Sequence, residues 1–138
     1  MLGRRILRIK AFKTLYGYAV TGRMTLDEAM ENLDKSCEAT RDLYLYMLAV
    51  ISPLTAEAAA RIKAAKEKFN PTEEDLSPNT KFAENRLAAL LDNDPDFQKI
   101  LSKKGLSWQA YDFLIASVLD SIREREYFKG YTASPERS

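Results

Sequence analysis

Histidine is absent from this chain of 138 residues, and cysteine occurs once, at Cys37. Without histidine the chain lacks the commonest general base and the Ser-His and Cys-His nucleophile pairs. It also lacks the set of thiolates and imidazoles that a structural zinc site needs. A single thiol cannot form an internal disulfide bond. We therefore expect a non-catalytic protein that holds no metal and no cofactor.

Long apolar runs are also missing. The longest segment without a charged residue, residues 43–56, has 14 residues and contains Pro53, whereas a membrane-spanning helix needs about 20. The N-terminus carries neither an apolar signal segment nor an acylation motif. We therefore expect a cytoplasmic protein that does not enter a membrane.

Glycine is scarce as well, with five residues, while apolar residues recur at helical spacing along most of the chain. This spacing predicts helices rather than strands. We expect an all-α fold, a bundle of about five to six helices that forms a single domain over residues 1–138. The expected helical ranges are 4–20, 26–51, 53–69, 80–91, 95–105 and 108–126.

Turn and capping residues set the expected ends of these helices. Gly22 closes the first helix, and Thr25 with Glu28 forms a capping box that opens the second. Pro53 kinks the second helix or restarts it. Residues 70–79 form a loop because they contain two prolines and a cluster of acids.

Further along, Asp94 caps the helix that starts at Pro95, and Ser107 caps the last helix. The first helix has two apolar stripes, so we expect it to be packed on two sides. The stripes are Ile6, Ile9, Phe12, Tyr16 and Val20, and Leu7, Ala11, Leu15 and Tyr18. The expected core residues of the last helix are Trp108, Tyr111, Ile115, Val118 and Ile122.

The net charge of +1 hides an uneven distribution of charge. Residues 1–26 contain six basic side chains and no acidic one, whereas the remaining residues contain 15 basic and 20 acidic side chains. Such an asymmetry is typical of a basic face that contacts a polyanion.

Arg4, Arg5 and Arg8 occupy the first turns of the first helix, where cations oppose the helix dipole by about 0.3–1 kcal/mol each. A residue whose position lowers the stability of the fold is expected at a functional site. Arginine binds phosphate oxygens bidentately, and tyrosines on the same helix can stack on unpaired RNA bases. The candidate RNA-binding residues are Arg4, Arg5, Arg8, Lys10, Lys13, Tyr16 and Tyr18.

A second interpretation of the same residues stays open. The arginines pair with acids elsewhere in the chain, for example Glu57 or Asp75, and the tyrosines belong to the core.

The string Arg4-Arg5-x-x-Arg8-x-x-Ala11-x-x-x-Leu15-Tyr16 resembles the opening of the NusB family of transcription antitermination factors. Strings further along resemble the long NusB homologues of Bacteroidetes, so that the similarity extends along most of the chain. These strings are Leu15-Tyr16-Gly17-Tyr18, Asp42-Leu43-Tyr44-x-Tyr46, Pro71-Thr72-x-x-Asp75-Leu76-x-Pro78-Asn79-Thr80-x-Phe82-x-x-Asn85 and Leu106-Ser107-Trp108.

The resemblance implies a NusB-like helical fold and binding to the single-stranded boxA element of ribosomal RNA leaders. NusB proteins bind boxA together with NusE, a ribosomal protein, in the RNA polymerase elongation complex. Arg4, Arg5 and Arg8 match the family's RNA-contacting arginines, and Tyr16 matches the tyrosine of its Leu-Tyr pair. Lys10, Lys13 and Tyr18 are candidates by position alone.

One part of the family pattern is missing, namely the His-Lys-Phe-Val-Asn-Gly-like stretch that opens the last helix of NusB proteins. Two explanations stay open. The chain is the N-terminal part of a longer protein, or residues 70–138 replace the usual second half in a divergent member.

Two other functions remain as alternatives. One is a protein-interaction bundle that forms a homodimer through the apolar stripe of its first helix. The other is an RNA-binding module of a ribosomal RNA methyltransferase, which would require a cofactor-binding domain encoded downstream.

Overall fold

Helices make up the regular secondary structure of residues 2–135, the part of the chain that this computed structural model describes. In this part there are eight helices and no strand. They are α1 Arg4–Thr21, α2 Leu26–Leu48, α3 Ile51–Lys66, α4 Glu73–Leu76, α5 Arg86–Asn93, α6 Pro95–Lys104, α7 Asp112–Arg123 and α8 Glu126–Ala133. The predicted all-α class is confirmed, with more helices than the count of about five to six that the spacing indicated.

Contacts divide the chain into two compact units, Met1–Leu45 and Tyr46–Ser138. The single domain expected from the sequence stays a prediction.

The first unit is a hairpin of α1 and the first part of α2. Gly22 ends α1 in the left-handed conformation, with φ of 61°, and only glycine adopts this conformation without strain. The predicted capping box opens α2: the Glu28 amide donates to the Thr25 hydroxyl at 3.2 Å, and the Thr25 amide donates to the Glu28 carboxylate at 2.7 Å. Both predicted helix ends are confirmed.

The packing predicted for α1 is wrong. We expected this helix to be buried on two sides, but it contains no buried residue. The α2 side of the hairpin contributes a single buried residue, Ala29. The half-buried positions of α1 include Ala11, Thr14 and Gly17, which are small. The larger apolar side chains of α1 are exposed to solvent.

The second unit is organised around α3 and α7. Leu54 from α3 packs with Ile115 and Leu119 from α7, and Leu119 is 1% exposed. The half-buried side chains against this cluster are Val50, Ala58, Phe82, Trp108, Val118 and Ile122. Four of the five expected core residues of the last helix therefore belong to this core. The prediction for Tyr111 is wrong, because its side chain is exposed and only its ring contact with Trp108, with centroids 6.0 Å apart, links it to the core.

The break between α2 and α3 falls before Pro53. Leu48 ends α2 and Ile51 begins α3, so Pro53 occupies the first turn of a new helix. Proline is tolerated in the first turn because the amide there has no partner within the helix. Of the two outcomes expected at Pro53, the restart is the one observed.

Two helices begin later than the sequence indicated. α7 begins at Asp112 rather than residue 108, because Trp108 stacks on Tyr46 with ring centroids 4.3 Å apart and donates its indole N–H to the Tyr46 carbonyl at 2.9 Å. α5 begins at Arg86 because Asn85 caps it, accepting from the amide of Leu87 at 2.9 Å.

Two further helices were not predicted. α4 is a single turn within the expected loop, and it is held by a capping box between Thr72 and Asp75. α8 is docked in the second unit: Lys81 Nζ donates to the carbonyls of Tyr131 and Ser134, at 2.6 and 2.9 Å, and caps the end of the helix.

Candidate nucleic-acid interface

The N-terminal end of α1 is cationic and accessible. Arg4, Arg5 and Arg8 are all exposed. No ion pair or side-chain hydrogen bond engages their guanidinium groups within the described residues. The first turn of α1 contains no acidic residue. Exposed, unpaired guanidinium groups are suited to phosphate oxygens.

The backbone at the same end adds to the positive potential. Gly3 precedes α1 in an extended conformation and has no side chain with which to cap it. The first backbone N–H groups of a helix have no acceptor within it, and the helix dipole is positive there. The starts of α3, α7 and α8 also have no side-chain cap, whereas those of α4, α5 and α6 have one. The arginines and the uncapped amides therefore offer donors to an anion at one end of α1.

Two aromatic rings continue the same face of α1 beyond the arginines. Phe12 and Tyr16 are 70% and 63% exposed, and their rings stack with centroids 6.4 Å apart and 22° between planes. Since residues three or four positions apart share a helix face, Arg5 and Arg8 lie in line with Phe12 and Tyr16. We call the five residues Arg4, Arg5, Arg8, Phe12 and Tyr16 the outer face of α1.

The outer face contains four of the seven residues predicted from the sequence. Phe12 is the addition, because its position on an apolar stripe indicated a core residue. No sequence signal separates an exposed phenylalanine on such a stripe from a buried one.

The other three predicted residues lie elsewhere on α1. Lys10 and Lys13 line a groove of about 420 Å³ between α1 and α2. Lys10 Nζ donates to the carbonyl and hydroxyl of Ser36, at 2.7 and 2.8 Å. Tyr18 is 39% exposed and is not in line with Phe12 and Tyr16. Of the predicted set, Lys10 has a structural contact that does not require RNA.

The acids that the sequence offered as partners for the arginines have other partners. Glu57 accepts from Arg61 at 2.7 Å, and Asp75 accepts from Lys68 at 3.1 Å. Arg61 also binds Asp120, and these two carboxylates raise the pKa of its guanidinium. Both carboxylates thus have partners within the second unit, and the interpretation in which acids elsewhere in the chain pair with the first helix stays open.

The clefts of the second unit have a different character. One of about 550 Å³ is lined by Asp92 and Asp112 and by no basic residue. The other, of about 470 Å³, contains three basic residues. The charges of Arg61 and Lys68 are engaged by the carboxylates just described, while Arg123 lies near Asp120 and helps to lower the pKa of that carboxyl.

One stretch passes the length and composition test for a membrane span. Within Leu26–Lys66 a window reaches a mean hydropathy of 1.4. This stretch is interrupted between Leu48 and Ile51, and a single candidate of this kind is weak evidence. Where the protein resides in the cell stays a prediction.

Comparison of the chain with protein-family models, with curated proteins and with solved structures found no significant match. The resemblance to NusB proteins therefore stays a prediction that depends on the sequence strings alone.

Proposed function

We propose that the outer face of α1 binds single-stranded RNA and that the protein is a non-catalytic RNA-binding protein. The arginines hold the phosphates, while Phe12 and Tyr16 stack on unpaired bases. The single observation that carries this proposal is the presence of unpaired arginines and stacked, exposed aromatic rings on one helix face.

Each group has a physical role in this proposal. Guanidinium groups bind the RNA backbone through charge and bidentate hydrogen bonds. Aromatic rings bind bases irrespective of sequence, because every base has a π-face. Arginines followed by exposed aromatic rings on one helix face are suited to a single strand, since a duplex keeps its base faces inaccessible.

The cellular role that we propose is transcription antitermination. The NusB-like strings support it. So does the match of Arg4, Arg5 and Arg8 to the family's RNA-contacting arginines, and of Tyr16 to the tyrosine of its Leu-Tyr pair. In this role the protein acts in the cytoplasm on a boxA-type leader, together with a NusE-like ribosomal protein and the RNA polymerase elongation complex.

The experiment is fluorescence anisotropy with a labelled boxA-like RNA over a range of salt concentrations, with and without a NusE-like protein. Neutralising phosphates releases counterions, so affinity should fall steeply as salt rises. The Arg4→Ala/Arg5→Ala variant should lower the slope of log affinity against log salt by about 0.7 for each phosphate that the variant no longer binds.

The matched control is Lys99→Ala/Lys103→Ala, which removes the same charge from exposed positions of α6. Its salt slope should equal that of the unmodified protein. Equal slopes for both variants, or binding that is insensitive to salt, would contradict the proposal.

A further inference from the structure

The second unit contains a cleft with an apolar floor and a polar rim. The cleft has a volume of about 550 Å³, and all of its lining residues belong to residues 46–138. Sites for small molecules are clefts of about 300–1,000 Å³ that combine apolar walls with a few polar groups. The apolar side chains of the floor are all half-buried, and they are Ala49, Pro53, Phe97, Leu101, Leu106 and Trp108. The cleft therefore has the size and the lining of a small-molecule site.

The polar rim of this cleft offers hydrogen-bond acceptors. Among the described residues that line it, the charged ones are Asp92 and Asp112. The Ser52 hydroxyl donates its hydrogen to Asp92, and the Gln98 side-chain amide donates to the Leu91 carbonyl at 3.0 Å. The hydroxyl oxygen of Ser52 and the side-chain carbonyl oxygen of Gln98 are therefore left to accept hydrogen bonds. Carboxylates and acceptor oxygens together favour a ligand that donates hydrogen bonds and carries positive charge.

Asp92 lies where helix electrostatics disfavours a carboxylate. It is the last residue but one of α5, and the last turn of this helix contains no basic residue. The C-terminal end of a helix dipole is negative, so a carboxylate there lowers the stability of the helix. A residue whose position lowers stability is expected at a functional site. The remaining polar lining residues, Ser102, Ser107 and Gln109, can donate or accept, so they do not oppose a cation.

We propose that this cleft binds a small organic cation, an ammonium group carried on an apolar body. The ammonium group lies against Asp92 and the acceptor oxygens of the rim, and the apolar body covers the floor beside Phe97 and Leu101. Charge-assisted hydrogen bonds and the burial of apolar surface both contribute to the affinity. A ligand with both parts should therefore bind more tightly than a ligand with only one. The proposal does not depend on RNA binding, and it is tested without RNA.

The test uses the fluorescence of Trp108, which is the single tryptophan of the chain and lines the cleft. Titration of the full chain with phenethylamine should change this fluorescence until the signal saturates. Phenethyl alcohol has the same ring and spacer but no charge, and its dissociation constant should be higher by about fivefold or more. A trilysine peptide with blocked ends supplies the ammonium groups of a protein partner without the aromatic body. This peptide should bind more weakly than phenethylamine.

Two variants locate the ammonium group. Asp92→Asn removes the charge and keeps the shape, so the dissociation constant for phenethylamine should rise by about threefold or more. The matched control is Asp96→Asn, which removes the same charge from an exposed position of α6 outside the cleft. This control should bind phenethylamine like the unmodified protein, and circular dichroism verifies that both variants keep their helices.

The comparison of amine with alcohol uses the unmodified protein, so its result does not depend on how either variant folds. Equal affinity for the two compounds would overturn the proposal, as would the absence of a saturable signal with millimolar phenethylamine. Unchanged affinity in Asp92→Asn would also overturn it, because the ammonium group would then lie elsewhere. Tighter binding of the trilysine peptide would show that the cleft takes a protein partner instead.

Discussion

Arg4, Arg5 and Arg8 occupy positions that helix electrostatics disfavours. They stand at the positive end of the α1 dipole, and the first turn of α1 contains no carboxylate. Each such cation costs about 0.3–1 kcal/mol at an exposed position. An exposed cation that lowers stability and has no ion pair among the described residues is expected at a functional site.

This cost leads to a prediction that separates function from folding. Arg4→Ala/Arg5→Ala should raise the free energy of unfolding, or leave it unchanged, because it removes two unfavourable interactions with the dipole. The same variant should bind RNA more weakly. Urea unfolding followed by circular dichroism gives the stability, with Lys99→Ala/Lys103→Ala as the control. A clear loss of stability in the arginine variant would mean that these side chains serve the fold.

At the scale of secondary-structure elements, the segment before α7 packs against the end of α2. Trp108 stacks on Tyr46, and its indole N–H binds the Tyr46 carbonyl. Burial raises the pKa of the Tyr46 phenol, and Tyr111 adds to this effect. These contacts explain why the helix expected from residue 108 begins instead at Asp112.

Trp108→Phe tests this contact. The change keeps an aromatic ring but removes the indole N–H, which leaves the Tyr46 carbonyl without its donor. We expect a loss of about 1–3 kcal/mol in the free energy of unfolding, measured by urea denaturation. Gln109→Ala, at an exposed neighbouring position, should change stability little. If both variants are equally stable, the hydrogen bond does not hold this segment.

The sequence was informative where local chemistry decides the structure. The ends of α1, α2 and α6 followed from Gly22, from the Thr25–Glu28 capping box, and from Asp94 with Gly105. Tertiary contacts overrode the helical pattern at Trp108. The apolar stripes of α1 indicated the helix but not its burial, because periodicity shows which residues share a face and not what covers that face.

For the molecule as a whole, charge pairing in the second unit contributes to the response to acid. A hydrogen bond from the Thr72 backbone and a second from Lys68 lower the pKa of Asp75. A hydrogen bond from Arg61 lowers the pKa of Asp120. Carboxyl groups whose pKa is lower in the folded state stabilise it above their unfolded pKa, and this contribution is lost as the pH falls.

We therefore expect a stability plateau at neutral pH, where the chain has no histidine to titrate. The free energy of unfolding should decrease as the pH falls through and below 3.8, which is the ordinary pKa of an aspartate side chain. Asp75→Asn/Asp120→Asn should be less stable at neutral pH and should lose less on acidification. Thermal melts from neutral to acidic pH measure both effects. Parallel declines for the two proteins would contradict this account.

The site was less predictable than the fold. Charge and the NusB-like strings pointed to the first helix, and four of the seven predicted residues share the outer face. The sequence could not assign Lys10 to its contact with Ser36, because that contact depends on how α2 folds back on α1. For the same reason it could not identify Phe12 as exposed.

The most direct test of the central proposal is to map where RNA contacts the protein. Photocrosslinking of a boxA-like RNA that carries 4-thiouridine, followed by mass spectrometry, identifies the modified residues. We predict adducts at Phe12 and Tyr16 that disappear when Arg4 and Arg5 are both replaced by alanine and persist in Lys99→Ala/Lys103→Ala. Adducts confined to residues 46–138, with none on α1, would contradict the account.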